Sequence, residues 1–310
     1  MKYLIVVANG LTDRPIAEKG NKTPLQLSET PNLDRLAKAG RTGSVRTIPE
    51  SLPAGCDVSY LSLLGYEPEK YLAGYANFEA AGLGIDIHEG EIPLCCDFII
   101  LQSSHNDMIM KDYSAGQLPD EDSRLLLDDL NEKIQGDVRF YPGKGPHNLM
   151  VMKSGPLKER LTPPNELIGE GIRQFLSGDG NGGEVAYIMN QAQIILHHHP
   201  YNKKRVGEGK DPVNSVWLWG NGESRTLPAF SEKYNKSAAL VSASLLFQGM
   251  AKSAGVKTVQ VEGATGYPDT NYKGKVDAAL KELEIHDVVY LNIAGAEDVS
   301  LKGNIDDKIQ

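Results

Sequence analysis

Cysteine is scarce in this 310-residue chain: three residues, two of them adjacent at Cys95 and Cys96. That is too few for a disulfide framework, so a reducing cytoplasm is the expected compartment. Basic residues are outnumbered, 32 Lys and Arg against 41 Asp and Glu, for a formal net charge of −9. Nothing basic is clustered enough to track a phosphate backbone, which excludes nucleic acid as a partner. There is no run of 18 apolar residues, so no helical membrane span is expected. The opening MKYLIVVANG carries one lysine and an apolar run of five residues. That is too short for a signal-peptide core and reads as a buried strand. What remains, 40% hydrophobic and 24% charged, is ordinary for a soluble globular protein of one large domain or two smaller ones.

The ends of the chain alternate strand and helix. YLIVVA (3–8) is a short apolar run stopped by Asn9-Gly10, which suits a strand buried on both faces of a parallel sheet. NLDRLAKAG (32–40) and SYLSLLGY (59–66) read as helices, the first ending at Gly40 and the second at Gly65. ALVSASLLFQGMAKSAG (239–255) reads as a helix stopped by Gly255, and KTVQVEGA (257–264) as the strand after it. NYKGKVDAALKELEIH (271–286) is an amphipathic helix, and DVVYLNIAG (287–295) is a buried strand. This alternation indicates an α/β fold with a parallel sheet. Between residues 87 and 212 the pattern changes to short strands (CCDFIILQ, VRFYPGKG, NLMVMKSG) around helices at 120–136 and 184–200. It predicts an inserted α+β domain, with the core at 1–86 and 213–310. The Gly-rich SGDGNGGE (177–184) lacks the Lys-Ser/Thr and the preceding strand of a phosphate cradle, and reads as a connection before a helix.

The segments YLIVVANGLTDRP (3–15), TPNLDRLAKAGRTG (30–43) and AGCDVSYLSLLGYEP (54–68) resemble the opening of the archaeal-type cofactor-independent phosphoglycerate mutases. These enzymes are a branch of the alkaline phosphatase superfamily. NKKRVGEGKDPVNSVWLWGNG (202–222) and VEGATGYPDTNYKGK (261–275) extend the resemblance over nearly the whole chain. It implies an alkaline-phosphatase-like core with a parallel sheet flanked by helices. It also implies a chemistry in which two divalent metals, Mn, Zn or Mg, polarise a phosphate and activate a serine nucleophile. The metal ligands are carboxylates and imidazoles converging from several strand ends. Here the family's first aspartate is Asn9, its serine is Cys56, its strand histidine is Asn292, and Ala296 and Ser300 fall on its Asp-Glu-Ala-Gly-His run. The family's further Asp-His pair and final histidine have no counterpart before Gln310. Substrate-gripping arginines are replaced as well, by Tyr75 in GYANFEA and by Pro146-His147-Asn148.

The resemblance, edited in this way, implies no metal cofactor and a non-catalytic protein that binds a ligand or a partner. The alternative is an active mutase or related phosphotransferase (homoserine-kinase-like) with an altered or shared active site. Arg205, Lys210, Asn214, Asp269 and Lys275, with Trp217 and Thr265, could keep an anion pocket for a small phosphorylated ligand. They could equally satisfy buried backbone at a domain junction. Cys56 at a helix N-terminus could be a thiolate nucleophile, although no histidine lies nearby in sequence. Val58 and Tyr60 rule out the sulfatase pattern around it. His197, His198 and His199 diverge by about 100° per residue on a helix and cannot jointly chelate one ion. A core lacking the family's last segment should expose apolar surface, which predicts a homo-oligomer or a partner protein.

Overall fold

The computed structural model describes residues 1–104, 107–153, 157, 161–176, 182–301 and 303–310. The chain divides into two compact units, Met1–Leu72 with Thr226–Gln310, and Ala73–Arg225. In chain order the strands are β1 (Tyr3–Ala8), β2 (Glu91–Ser104), β3 (Asp107–Asp112), β4 (Val138–Lys144), β5 (His147–Lys153), β6 (Ser215–Trp219), β7 (Ala238–Val241), β8 (Lys257–Val259) and β9 (Val288–Ile293). The helices used below are α1 (Pro31–Ala39), α2 (Cys56–Leu63), α3 (Tyr75–Leu83), α4 (Asp120–Lys133), α5 (Gly182–His198), α6 (Pro200–Gly207), α7 (Leu245–Ser253), α8 (Tyr272–Ile285) and α9 (Gly295–Leu301). No described helix is long and apolar enough to cross a membrane.

The first unit is built on a parallel sheet of order β1-β9-β7-β8, in register from Tyr3 opposite Val288 to Ala8 opposite Ile293. Alternation along the strands sorts side chains onto two faces. Ala239, Val241, Val289 and Leu291 pack with Ala279 of α8. On the other face the Phe247 ring of α7 stacks on Tyr60 of α2 at 4.2 Å, and its edge meets Tyr290.

Two expectations are corrected here. Residues 239–241, expected to begin a helix, form the buried strand β7 between β9 and β8. Helix α7 starts only after Ser244, whose Oγ accepts from the Phe247 amide at 3.3 Å and caps it. β1 is not buried on both faces: among the described residues it pairs with β9 alone, at an edge of the sheet, and Tyr3, Leu4 and Val6 are exposed. β8 is shorter than expected, and α1 is helical with no buried residue.

The second unit is built on an antiparallel sheet of order β3-β2-β5-β4, with β6 also paired to β2. Residues Cys95 to Asp97 of β2 carry β5 on one side and β6 on the other. The backbone of this stretch is therefore paired along both edges. The unit begins at residue 73 and closes at 225, whereas the sequence pattern placed the insertion at 87–212. The difference arises because α3 packs on β2, and β6 joins its sheet. α4 buries Ser123, Leu126, Leu127 and Leu130, the i, i+3, i+4, i+7 stripe, and carries Asp120, Glu121 and Asp122 at its positive end. α5 begins at Gly182, and residues 177–181 of the Gly-rich segment lie outside the described residues.

Two backbone segments of this unit meet with no room for a side chain. A Cβ on Gly74 would lie 2.3 Å from the Gly222 amide nitrogen, and one on Gly222 would lie 2.5 Å from the Gly74 Cα. Gly74→Ala should therefore destabilise the second unit by about 2 kcal/mol or more. Gly207→Ala, in open space at the end of α6, should be neutral or stabilise by up to about 1 kcal/mol. Urea denaturation midpoints of the two variants check this.

Candidate functional site

In an open parallel sheet, ligands bind beyond the carboxyl ends of the strands, where loops leave the sheet. In the first unit those ends carry Asn9 after β1, Ser242 after β7 and Asn292 near the end of β9. They form one chain of hydrogen bonds. Asn292 Nδ2 donates to Asn9 Oδ1 at 2.8 Å, Asn9 Nδ2 donates to the Tyr60 hydroxyl at 3.0 Å, and Ser242 Oγ donates to Asn292 Oδ1 at 3.0 Å. Every member is neutral. Asn292 is almost fully buried, and its backbone carbonyl accepts from Lys275 Nζ at 3.4 Å. The loop after Asn9 is held down because Gly10 has φ +75° and no Cβ. A Cβ there would sit 2.4 Å from the Glu297 amide nitrogen.

Cys56 opens α2 one turn before Tyr60, and its Sγ donates to Glu297 Oε1 of α9 at 3.8 Å. Burial, then the negative charges of Glu297 and Asp57, push the thiol up to about 12. The helix N-terminus therefore does not make it a thiolate: removal from water and two carboxylates outweigh the dipole. Burial likewise raises Tyr60, with the neighbouring Cys56 and Glu297 adding to it. Ala296 contributes backbone only, and Ser300 Oγ returns to the Ala296 carbonyl of its own helix at 2.5 Å. Asn9 and Asn292 thus meet directly, and Cys56 lies one helical turn from their partner Tyr60. Ser242 and Glu297 join them without having been singled out, and Tyr60, which entered only in ruling out the sulfatase pattern, joins them as well. Glu297 stands beside Ala296 in the segment compared with the Asp-Glu-Ala-Gly-His run, which was the available signal.

The candidate anion-binding residues fall in different units. Arg205 is buried in the second unit: its Nε donates to the Asp211 carbonyl at 2.8 Å and its Nη2 to the Ala115 carbonyl at 3.2 Å. Asn214 exchanges two hydrogen bonds with the backbone of Leu101, and exposed Lys210 pairs with Glu208 at 2.8 Å. In the first unit Lys275 Nζ donates to the Thr265 carbonyl at 3.0 Å, and Asp269 accepts from Thr265 Oγ1 at 2.8 Å. His199 caps α6 by accepting from the Tyr201 amide at 3.1 Å, apart in role from His197 and His198 at the end of α5.

The second unit holds a buried charged cluster. Cys95 and Asp97, two apart on β2, share one sheet face; His147 of β5 lies directly across from Asp97, and Trp219 of β6 across from Cys95. Glu79 comes from α3. His147 Nε2 meets Glu79 Oε2 at 2.6 Å and its Nδ1 meets Asp97 Oδ1. Asp97 Oδ2 accepts from Trp219 Nε1 at 2.7 Å, and Cys95 Sγ donates to Glu79 Oε2 at 3.6 Å. Burial pulls the imidazole down, but the flanking Asp97 and Glu79 carboxylates outweigh it and hold His147 well above its ordinary range. Burial, reinforced by Glu79 and Asp97, keeps Cys95 a thiol. Glu79, Cys95 and Asp97 were not singled out in the sequence, where His147 entered only as a replacement for an arginine.

Comparison with known proteins places these geometries in a lineage. A profile of the 2,3-bisphosphoglycerate-independent phosphoglycerate mutases matches residues 37–202. A probable 2,3-bisphosphoglycerate-independent phosphoglycerate mutase of Geobacter sulfurreducens is 38% identical over all of this chain and 78% of its own length. A solved protein of Pyrococcus horikoshii superposes with a TM-score of 0.75 at 26% identity, covering 99% of this chain and 74% of that one. The cofactor-independent phosphoglycerate mutase of Thermoplasma acidophilum gives a TM-score of 0.52 at 27% identity, covering 100% and 81%.

The state of Cys56 is directly measurable. With the thiol at about 12 against an ordinary 9.0, its thiolate fraction at pH 8 falls by about a thousandfold. Iodoacetamide should modify native Cys56 at least about a hundredfold more slowly than the urea-unfolded chain. The rate should still be climbing at pH 10. Native labelling as fast as unfolded labelling would mean an activated thiolate.

Proposed function

The chain belongs to the 2,3-bisphosphoglycerate-independent phosphoglycerate mutase family, and from that premise we propose that it acts as a binding or partner protein and not as a two-metal phosphotransferase. Two-metal phosphoryl transfer needs anionic oxygen and imidazole donors around hard dications, and a hydroxyl whose proton the metals can displace. The observation that carries the proposal is the chain of neutral hydrogen bonds at the strand ends. The Asn9 and Asn292 carboxamides spend their facing groups on each other, on Tyr60 and on Ser242. Carboxamides do not neutralise a dication, and Cys56 presents a protonated sulfur where a hydroxyl nucleophile would stand. Among the described residues of this unit, no three His, Cys, Asp or Glu side chains converge closely enough to hold an ion. These residues do not fit a pair of hard dications.

A coupled assay for interconversion of 3- and 2-phosphoglycerate, run with added Mn2+, Zn2+ or Mg2+, tests the proposal. No turnover above the protein-free blank is expected. Metal-dependent turnover abolished by Cys56→Ala would establish the opposite, an active mutase with an altered site.

The partner surface proposed for this role is the β1 edge, where Tyr3, Leu4 and Val6 are exposed on a strand with no second strand partner among the described residues. Light scattering should return a mass at or above that of a dimer, and Leu4→Lys with Val6→Lys should lower it. A uniform 33.8 kDa species for the unaltered chain would remove self-association from the proposal.

A further inference from the structure

The buried cluster of the second unit carries chemistry that the proposed role does not use. We propose that Glu79, Cys95 and His147 form a binding site for a single borderline-soft divalent ion, Zn2+ in type, with Asp97 orienting the histidine. The three donor atoms lie within 4.8 Å of one another. One carboxylate oxygen, one thiolate and one imidazole nitrogen make a mixed O, S, N set, which suits Zn2+ and not a hard ion such as Mg2+ or Ca2+.

The geometry is close to that of a loaded site. An ion bonded to an oxygen at about 2.0 Å and a sulfur at about 2.3 Å in tetrahedral array holds those two atoms about 3.5 Å apart. Cys95 Sγ and Glu79 Oε2 are 3.6 Å apart. Glu79 Oε2 and His147 Nε2 are in hydrogen-bond contact at 2.6 Å, and must part to about 3.3 Å when an ion lies between them. His147 is the donor able to move, because its side chain is 29% exposed while that of Glu79 is 5% exposed. The same exposure gives the ion its entry path and leaves a fourth position open toward water.

The surroundings of the three donors match what ligating histidines need. A metal-bound imidazole usually gives its other N–H to a carboxylate, which fixes the ring. His147 Nδ1 faces Asp97 in this way, and Asp97 is itself fixed by Trp219 Nε1 at 2.7 Å. Register keeps the group assembled: Asp97 faces His147, and Cys95 faces Trp219, through backbone pairing that no side-chain rearrangement can undo.

The test is Co2+ titration of the full chain under reducing conditions, after chelator treatment. About one equivalent should bind with a thiolate-to-cobalt absorption and tetrahedral d–d bands, and Zn2+ should displace it. Cys95→Ser should abolish the thiolate band, while Cys56→Ser and Cys96→Ser keep it. Asp97→Asn should keep the band and weaken affinity by about 10- to 100-fold, because it positions the histidine without ligating. Circular dichroism confirms that each variant is folded. No thiolate band in the unaltered chain, or a band that survives Cys95→Ser, would overturn the proposal.

Discussion

The hydrogen bond from Asn292 Nδ2 to Asn9 Oδ1 joins the ends of β9 and β1 at the place where an open parallel sheet presents its ligand site. The rest of the first unit's chemistry depends on it. It aims the other group of each carboxamide outward, one to Tyr60 and one to Ser242, so polarity that could have met an ion is closed on itself. Tyr60 in turn is fixed by stacking on Phe247, which ties the hydrogen-bond chain to the aromatic layer under the sheet. A carboxylate at residue 9 would lack the donor that now reaches Tyr60. It would leave anionic charge beside a hydroxyl and a thiol that burial already keeps protonated.

The two units treat buried polarity in opposite ways. In the first it is neutral and mutually satisfied, and burial and two nearby carboxylates hold the thiol at its edge protonated. In the second, two carboxylates are buried against one imidazole, an arrangement that survives only because every group is paired and the sheet holds the partners in register. Charge concentrated this way, with an acceptor already shaped for a dication, is the feature of the chain with the most unused chemistry.

The sequence was most legible where local rules act. The strands YLIVVA and VVYLNI and the α8 helix after Asn271 could be placed from their own residues, and the substitutions at residues 9, 56 and 292 only through the resemblance to the mutase family. Residues 239–241 were misread because Ala-Leu-Val suits either state, and only pairing with both neighbours makes it a strand. The exposure of β1 could not be read, since whether a strand is at an edge is decided by its neighbours and not by its own residues. Asp97, His147 and Trp219 meet through strand register and Glu79 through packing of α3 on β2, so no spacing rule could assemble them.

The central claim, that the strand-end site is a closed neutral network and not a dication site, is tested most directly with a hard paramagnetic ion. Mn2+ prefers oxygen donors, and its sharp six-line electron paramagnetic resonance signal in water at room temperature broadens and loses amplitude when the ion is bound. Added to the purified chain, it should keep its full free-ion signal. Loss of the signal from two ions per chain, restored by excess Mg2+, would place a working two-metal site at Asn9, Cys56 and Asn292 and contradict the claim.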